Sequence, residues 1–600
     1  MPGRTVFAVL EETAGKYPSQ TAMYQPTGQK GGPKYRTYTW TEYRDGVREV
    51  ACGLRALGIG TGDIVALHAE TSAEFYIADI GVMANGSIAA ALYTSLPPGD
   101  HVQTVKAAAP KAIFVEDPKT YKSLTSAGVP HDRFPWILLS GEVEGVRTIA
   151  QLRDEGRRAL AGDPGLFERI QAEVSVADPG ILYMTSGATG EPKMGMVTQG
   201  AIVSNIDMGP AVLEIGPEDS TLVFLPSAHI AQRVVIELMP IRMAIPVYFS
   251  EGLAKMPAEL REVKPTFLLA PPRVWERVFA SISTEVKKRP PVARRIFHGA
   301  LGLGLKVASL RREGRPVPGW MHASLKMADK VVFRKIRERL GGRIRVAVSG
   351  AAPLGRDLAQ FYEAIGLPLN EGYGLTEGGV ATLNPIGRAR PGSIGKPLPG
   401  VELRLAEDGE LLVKSPALFS GYYNDPESTA AVLREGWLYT GDIAEIDPEG
   451  YVYITGRKKE IIVSSNGKKI YPARIESLFK VEPLINQVLL VGDRQPYVTA
   501  LITINPAAAE TLKGMEDLKG KGVDEVAGSA AVKEEVDRAI KRVNKQLPAF
   551  EQIKRFRILD RDFSIERGEL TPTMKVRRKQ VIENFRSAVN ELYLGKEEIA

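Results

Sequence analysis

The stretch TSGATGEPKMGMVTQG, residues 185–200, has the composition of a phosphate-binding loop. Glycines allow backbone N–H groups to approach an anion closely, and a lysine adds a compact positive charge. The nucleotide loop G-x-x-x-x-G-K-[ST] has a different spacing and begins a helix. Here Gly187 and Gly190 are three positions apart, Lys193 follows three positions later, and the succeeding MGMVT is β-like. The stretch therefore predicts an anion site on a loop between two strands, although a flexible surface turn also fits it.

The composition is typical of a soluble globular protein of several domains. The chain has 600 residues, of which 44% are hydrophobic and 25% are charged. Its single cysteine, Cys52, excludes an internal disulfide framework and a multi-cysteine zinc site. The net charge of +6 suits anionic ligands such as nucleotides or CoA, and it is too small to indicate a nucleic-acid partner. We expect a cytoplasmic protein.

Helix and strand patterns alternate along most of the chain and then give way to short strands. Residues 41–57 form an amphipathic helix pattern that is followed by the buried strand pattern IVALHAE. The most apolar window, residues 75–93, contains Asp79 and Asn85, so it predicts a buried helix and strand and not a membrane span. From about Glu402, short strands are joined by Asp-Gly and Glu-Gly turns. These patterns predict α/β layers followed by a β-rich subdomain, with a domain boundary near residues 457–460.

Further motifs follow the opening stretch in a fixed order. EGYGLTEGG, residues 371–379, places Thr376 beside Glu377, and a hydroxyl beside a carboxylate is suitable oxygen chemistry for Mg²⁺. YTGD ends in Asp442, whose carboxylate could accept hydrogen bonds from ribose hydroxyls. TGRKKE contains Arg457, and ELTPTMKVRR places Lys575 in a loop before a helix. Each motif alone is weak evidence, but their order and content together are specific.

In this combination the chain resembles the adenylate-forming superfamily of acyl-CoA synthetases, luciferases and peptide-synthetase adenylation domains. The resemblance spans nearly the whole chain, and it is greatest to the long-chain fatty acyl-CoA synthetases. The segments that carry it are ALYTS at 91–95, FLPSAHIAQR at 224–233, APPRVWERV at 270–278, a long basic insertion at about 285–340, and LTPTMK at 570–575.

The resemblance implies an α/β fold with a large N-terminal domain of several subdomains, residues 1–458, and a small, mobile α+β C-terminal domain, residues 459–600. It also implies a reaction with Mg²⁺, ATP and CoA. A fatty acid attacks the α-phosphate of ATP to give acyl-AMP and pyrophosphate, and the CoA thiol then displaces AMP. Lys459 matches the hinge of the family, and a solvated lysine is the alternative interpretation.

By position, the resemblance assigns a role to each site residue. The phosphates of ATP are expected at Thr185, Ser186, Gly187, Ala188, Thr189, Gly190 and Lys193. The adenine is expected at Gly350, Ala351, Ala352, Glu371, Gly372, Tyr373 and Gly374, and the ribose at Asp442 and Arg457. Mg²⁺ is expected at Glu377 and Thr185, with Thr376 close to the α-phosphate or the metal. Lys575 should bridge the acyl carboxylate and the α-phosphate, and His229 should lie near that carboxylate unless it is structural.

Three residues of the opening stretch depart from the family pattern. Ala188 replaces a hydroxyl residue, Met194 a glycine and Gln199 a histidine. The departures leave two alternatives open. One is a ligase for an aryl or branched acid, or one that delivers acyl-AMP to a carrier protein. The other is a non-catalytic homologue that binds nucleotide or acyl groups.

Residues 287–315 carry nine basic residues and one acidic residue, interleaved with apolar ones. An anionic membrane surface could bind such a stretch, and a solvated helical arm is the alternative. We therefore predict a cytoplasmic protein for which peripheral association with the inner face of the membrane stays open, as does an oligomeric state.

Overall fold

The computed structural model describes residues 3–28, 32–186, 192–510, 515–571 and 574–594. The predicted phosphate contacts at Gly187, Ala188, Thr189 and Gly190 lie outside these ranges.

Two large mixed sheets form the layered part of the chain, and all their strands but Gly421–Tyr422 precede residue 400. In spatial order, the first contains Lys396–Pro397, Gly379–Leu383, Leu369–Leu375, Val346–Ser349, Phe267–Ala270, Thr221–Val223, Val247–Phe249, Thr21–Pro26 and Tyr35–Thr39. The second contains Gly421–Tyr422, Pro192–Thr198, Pro179–Ser186, Ile88–Ala91, Ile64–His68, Ala112–Val115, Trp136–Leu138 and Arg147–Thr148.

Smaller sheets occupy the rest of the chain. One contains Glu402–Leu405, Glu410–Lys414, Trp437–Ile446, Leu433–Arg434 and Val452–Arg457, which agrees with the predicted β-rich subdomain. Beyond it, Ile462–Val463 pairs with Lys469–Ile470, and Ile485–Val491, Val498–Ile504 and Ile553–Ile558 form a further sheet. A separate hydrophobic core covers that last sheet.

Helices cover the sheets and connect their strands. The α-helices are Val6–Lys16, Trp40–Ala56, Ala73–Ala84, Pro98–Ala108, Pro118–Ser126, Ile149–Gly162, Leu166–Glu173, Gln199–Asp207, Gly209–Val212, Met239–Met243, Met256–Val263, Pro272–Lys287, Pro291–Arg312, Gly319–Ala328, Arg334–Glu338, Arg356–Ala364, Pro426–Val432, Pro472–Ser477, Pro506–Ala509, Val523–Gly528, Ala530–Asn544, Arg578–Asn584 and Arg586–Glu591. Gln232–Leu238 and Asp329–Phe333 are π-helical, and Lys458–Glu460, Leu478–Val481 and Glu516–Leu518 are 3₁₀-helical.

The helix predicted over residues 41–57 is present as Trp40–Ala56, and its start follows from local chemistry. Thr39 and Glu42 form a capping box, in which each side chain bonds the backbone N–H of the other. Glycine permits a close crossing with the helix Ile149–Gly162, because a Cβ on Gly156 would lie 1.9 Å from the carbonyl oxygen of Glu49. This close contact fixes the two helices against each other.

The apolar window around Asp79 is a buried helix, Ala73–Ala84, and a buried strand, as predicted. The Asp79 carboxylate is paired with the guanidinium of Arg233. Nε of Arg233 lies 3.1 Å from Oδ2 of Asp79, and both side chains are fully buried. Glu237 lies beside them, and burial together with the charge of Asp79 raises its pKa well above the usual range. Among the described residues, no helix combines the length and the apolarity needed to cross a bilayer.

Candidate active site

Most of the predicted site residues that the structure describes line one cleft; Gly350 is not among the lining residues, and the Ser186 side chain lies outside the described part of the chain. The cleft is bordered both by the layered sheets and by the C-terminal segment that carries Lys575. Its volume of about 2960 Å³ exceeds the ~300–1,000 Å³ of a typical small-ligand pocket, so it has space for more than one ligand. Lining residues from the sequence predictions include Thr185, Lys193, His229, Ala351, Ala352, Glu371, Gly372, Tyr373, Gly374, Thr376, Glu377, Asp442, Arg457, Lys459 and Lys575.

The opening stretch connects two antiparallel strands, as its sequence predicted. Pro179–Ser186 and Pro192–Thr198 pair so that Thr185 lies opposite Lys193. The Thr185 hydroxyl donates a hydrogen bond to the Lys193 carbonyl oxygen at 3.2 Å. This ladder presents the Lys193 ammonium at the cleft, where it contacts the hydroxyl of Ser428 and lies 3.6 Å from the Asp425 carboxylate.

Glu377 and Thr376 follow the strand Leu369–Leu375 and face the same hairpin. The hairpin approaches closely, because a Cβ on Gly195 would lie 3.2 Å from the Thr376 methyl group. The Oε1 atom of Glu377 accepts a hydrogen bond from the Tyr422 hydroxyl at 2.6 Å. The structure thus brings a carboxylate, a hydroxyl and a lysine to one part of the cleft.

The predicted adenine-side residues lie at the ends of two neighbouring parallel strands of the first sheet. Gly350, Ala351 and Ala352 follow the strand Val346–Ser349, and Ala351 has a positive φ of 71°. Glu371 is buried in the adjacent strand and accepts the Leu354 backbone N–H at 2.9 Å. Burial raises the pKa of Glu371 to about 7. This carboxyl group therefore serves the loop that follows Ala352 as a hydrogen-bond acceptor.

Asp442, which is predicted to bind the ribose, has two side-chain partners. Its Oδ2 accepts the Tyr373 hydroxyl at 2.6 Å, and its Oδ1 lies 3.2 Å from Nε of Arg457. The pairing follows from strand register, since Asp442 and Arg457 are opposite each other on adjacent antiparallel strands. Two partners hold the carboxylate in one orientation at the edge of the cleft.

His229 is held in one tautomer by the backbone. Its Nδ1 accepts the N–H of Ala231 at 3.1 Å, which assigns the proton of the neutral ring to Nε2. Burial and the nearby charge of Lys575 lower the pKa of His229 to about 3. The imidazole is therefore a neutral hydrogen-bond donor at the cleft.

Lys575 reaches the cleft from the C-terminal segment of the chain. Its backbone N–H donates to the Thr571 hydroxyl at 3.0 Å, and Met574 has a positive φ of 63°. Removal of bulk water and the charge of Arg457 lower the pKa of Lys575 to about 8, although water in the cleft still reaches the side chain. The lysine remains largely a cation at neutral pH.

The predicted hinge, Lys459, lies in the 3₁₀ turn Lys458–Glu460 between the β-rich sheet and the C-terminal sheet. Beyond this turn, C-terminal residues contact the N-terminal part of the chain directly. Nζ of Lys480 lies 3.0 Å from the Glu276 carboxylate, and Nη1 of Arg273 donates to the Asn486 carbonyl oxygen at 3.0 Å. These contacts accompany the position in which Lys575 faces His229 and Arg457. The domain ranges 1–458 and 459–600 stay a prediction.

Glu377 fits the metal that the sequence resemblance implies. In the described ranges, no cluster of three or more acidic, histidine or cysteine side chains is arranged to hold a metal ion. Mg²⁺ is usually held by one or two carboxylates together with phosphate oxygens and water. The Glu377 carboxylate, in the same part of the cleft as Lys193, therefore suits Mg²⁺ that binds together with ATP.

Two of the three residues that depart from the family pattern make contacts that stabilise the fold. Gln199 is 1% exposed; its Oε1 accepts the Val6 N–H at 3.0 Å, and its Nε2 donates to the Met83 carbonyl oxygen at 3.0 Å. Met194 is buried in the hairpin, where its carbonyl oxygen accepts the Tyr423 N–H at 2.7 Å. Both residues join segments of the N-terminal part of the chain.

Comparison with protein families shows to which family the chain belongs. Residues 10–423 match the family described as AMP-binding enzyme, and residues 459–597 match the C-terminal domain of AMP-binding enzymes. The chain belongs to the AMP-binding enzyme family. The superfamily that the motifs indicated is thereby confirmed.

Other members of the AMP-binding enzyme family resemble the chain over its full length. The long-chain-fatty-acid–CoA ligase FadD15 of Mycobacterium tuberculosis is 35% identical over 608 residues, which cover 97% of this chain and 98% of that protein. The long-chain-fatty-acid–CoA ligase ACSBG2 of Rattus norvegicus is 28% identical over 99% of this chain and 94% of that protein.

Solved structures of the family support the fold. The anthranilate CoA ligase AuaEII in complex with anthranoyl-AMP has a TM-score of 0.73 at 18% identity, covering 98% of this chain and 99% of that one. A fatty acyl CoA synthetase of Mycobacterium tuberculosis has a TM-score of 0.60 at 20% identity, with 97% and 99% covered. The predicted α/β class, with a large N-terminal and a small C-terminal domain, is confirmed.

Sequence reasoning missed Tyr422, Asp425 and Ser428 as neighbours of the site. They belong to GYYNDPES, a stretch that showed only a general match to the family and no titratable cluster. It also missed Glu276 and Lys480, which join distant parts of the chain and lack a local pattern. Arg233, the last residue of FLPSAHIAQR, forms a buried ion pair with Asp79.

Proposed function

We propose that the protein uses Mg²⁺ and ATP to convert a long-chain fatty acid to acyl-AMP and then to acyl-CoA, with release of pyrophosphate and AMP. The observation that carries the proposal is the convergence of Lys193, Glu377 and Lys575 on one cleft. Full-length relatives named as long-chain-fatty-acid–CoA ligases supply the substrate class.

The first step requires one anion to attack another. The fatty acid carboxylate forms a bond to the α-phosphorus of ATP while the bond to the pyrophosphate oxygen breaks. Lys193 would bind the departing phosphates and Lys575 would neutralise charge between the carboxylate and the α-phosphate, so catalysis is mainly positioning and electrostatic stabilisation. Glu377, with Thr185 or Thr376 close by, would hold Mg²⁺, which supplies further charge neutralisation on the phosphates.

The neutral His229 suits a position next to the acyl carboxylate. Its Nε2–H can donate a hydrogen bond without adding a titrating charge near pH 7, because the pKa of the ring is lowered to about 3. Asp442 and Arg457 would orient the ribose, and residues 350–352 with Tyr373 would border the adenine.

The second step needs a path for the CoA thiol to the acyl carbonyl carbon. The thiol loses its proton to solvent, its sulfur forms the thioester bond, and the bond from the acyl carbon to AMP breaks as the nucleotide leaves. Rotation about Lys459 would withdraw Lys575 and open that path, which is a conformational step between two chemistries. The contacts of Lys480 with Glu276 and of Arg273 with Asn486 would separate during this rotation.

A panel of carboxylic acids tests this function directly. The purified protein should exchange pyrophosphate into ATP in the presence of palmitate, and it should form acyl-CoA when CoA is added. Aryl and branched acids in the same panel identify another acid substrate, and a carrier protein in place of CoA identifies another thiol acceptor. Absence of exchange with every acid would overturn the proposal and leave a binding protein.

The lowered pKa of Lys575 predicts an alkaline limit to adenylation. A pKa of about 8 means that the ammonium is mostly charged at pH 7 and mostly neutral at pH 9. The kcat/KM for pyrophosphate exchange, which reports the free enzyme and involves no thiol, should therefore fall as pH rises through about 8. Lys575→Arg, whose guanidinium stays charged, should lack this alkaline limb even if its rate is lower. An unchanged limb in that variant would assign the pKa to another group.

Peripheral membrane association through residues 287–315 stays a prediction. Only the exposed side chains in and after this segment could contact a membrane. Helix Pro291–Arg312 turns Val307 and Leu310 into the core and leaves Val292 and Ile296 exposed. The next segment adds exposed Trp320, Met327 and Val331, which lie at helical spacing beside Lys326 and Lys330. Exposed apolar side chains next to lysines are the chemistry of an anionic bilayer surface.

Vesicle sedimentation distinguishes this surface from a solvated arm. Phosphatidylcholine vesicles with phosphatidylglycerol should sediment the protein, and pure phosphatidylcholine vesicles should do so weakly. The double variant Trp320→Ala/Met327→Ala should reduce sedimentation, whereas Leu253→Ala, at a residue 56% exposed elsewhere, should not. Equal sedimentation with both vesicle types would favour the solvated arm.

A further inference from the structure

The segment 419–429 lies between the two charged side chains Lys193 and Glu377 of the cleft. Its strand Gly421–Tyr422 pairs with Pro192–Thr198, so that Tyr422 lies opposite Gly195, two positions after Lys193. On its other side, the Phe419 N–H donates to the Glu377 carbonyl oxygen at 2.9 Å. One short segment is thus bonded to the strand of the phosphate lysine and to the loop of the metal carboxylate.

The Tyr422 side chain contacts both Glu377 and Lys193. Its hydroxyl donates to Oε1 of Glu377 at 2.6 Å, and Nζ of Lys193 lies 5.2 Å from its ring centroid, within cation–π range. Among the residues that the structure describes, this phenol is the hydrogen-bond donor found for the Glu377 carboxylate.

The backbone holds Tyr422 firmly in this position. The Tyr422 N–H donates to the Thr429 hydroxyl at 2.8 Å, and the Phe419 ring packs edge-to-face on the tyrosine ring at 5.0 Å. Gly421 has a φ of 138°, and a Cβ there would lie 2.8 Å from the Thr429 methyl group. The glycine allows the close approach that turns the phenol towards Glu377.

We propose that Tyr422 is a positioning residue that orients the Glu377 carboxylate for Mg²⁺ and sets its distance from Lys193. The phenol occupies one lone pair of Oε1, so Oε2 is the freer oxygen for the metal, which favours coordination through a single oxygen. Mg²⁺ demands a near-octahedral shell and keeps several waters, whereas Ca²⁺ accepts bidentate carboxylates. Hydrogen bonds to ligating carboxylates tune metal affinity in this way. The inference rests on the proposed nucleotide site.

Calorimetry of ATP binding at fixed free Mg²⁺ concentrations tests the proposal without turnover. In Tyr422→Phe, the free Mg²⁺ needed for half of the metal-linked tightening of ATP binding should rise by about 10- to 100-fold. The ATP Kd in EDTA should stay at the wild-type value, because phenylalanine retains the ring beside Lys193. Tyr422→Leu removes the ring as well, so its Kd in EDTA should also rise, by roughly 2- to 5-fold.

Tyr423→Phe is the matched control, since it removes the neighbouring phenol and should leave both quantities unchanged. A merely structural role for Tyr422 would lower the melting temperature and weaken ATP binding equally with and without Mg²⁺. A wild-type Mg²⁺ midpoint in Tyr422→Phe overturns the inference alone. Absence of Mg²⁺-linked ATP binding in the unmodified protein overturns the proposed function itself.

Discussion

Lys575→Ala is expected to lower the rate of acyl-AMP formation by about 10²- to 10³-fold, the effect of removing one preorganised donor from a developing anion. Lys575 is the cation that the C-terminal segment brings to the cleft beside Arg457 and His229. Pyrophosphate exchange with palmitate measures this step. Thioester formation from supplied acyl-AMP should continue near the wild-type rate, because Lys575 leaves the cleft in the proposed second step.

Lys541→Ala is the control for loss of a C-terminal lysine, since Lys541 is exposed and pairs with Asp537 on a surface helix. It should leave both half-reactions unchanged. Equal losses of adenylation and thioester formation in Lys575→Ala would contradict the division of labour between the two steps. Wild-type adenylation would remove Lys575 from the chemistry.

Asp79→Ala is expected to lower the free energy of unfolding of the N-terminal part by about 3–5 kcal/mol. The reason is that Arg233 would remain charged and fully buried without its partner. Glu237 carries the protonated carboxyl nearest to this pair, so its ionisation in the variant would recover part of the loss. Urea unfolding followed by tryptophan fluorescence measures the change, because Trp40 and Trp275 are buried in this part of the chain.

Two further variants sharpen this test. Glu534→Ala breaks an exposed pair with Arg538 and should change stability by only ~0–1 kcal/mol. Asp79→Leu/Arg233→Met replaces both charges by apolar groups, and it should recover most of the loss because no charge is left uncompensated. A small effect of Asp79→Ala would show that water or Glu237 satisfies Arg233.

Local patterns predicted the parts of the fold that depend on neighbouring residues. The β-like run after Lys193 predicted the hairpin, and the period of the residues in 41–57 predicted the helix whose capping box lies at its first turn. Asp79 interrupted the most apolar window, which signals a buried charge but does not identify its partner. Arg233 is 154 positions away, and only tertiary packing brings the two together.

The candidate site shows the same limit. Motif order placed Glu377, Asp442 and Lys575 in one site by resemblance, and the structure brings all three to one cleft. The phenol that holds Glu377 comes from a residue 45 positions away, on a short strand whose pairing the sequence does not specify. The contacts of Gln199 were equally hidden, because a buried amide has no periodic pattern.

The two bonds of Gln199 bear on how degenerate enzymes are distinguished from active ones. A motif-counting criterion would treat Gln199 as a lost functional histidine and move the chain towards the pseudoenzymes. In the molecule, the same amide fastens the first helix at Val6 and the end of the helix Ala73–Ala84 at Met83. Variation at this position therefore reports on how the amino terminus is anchored, and it carries little weight as a sign of lost catalysis.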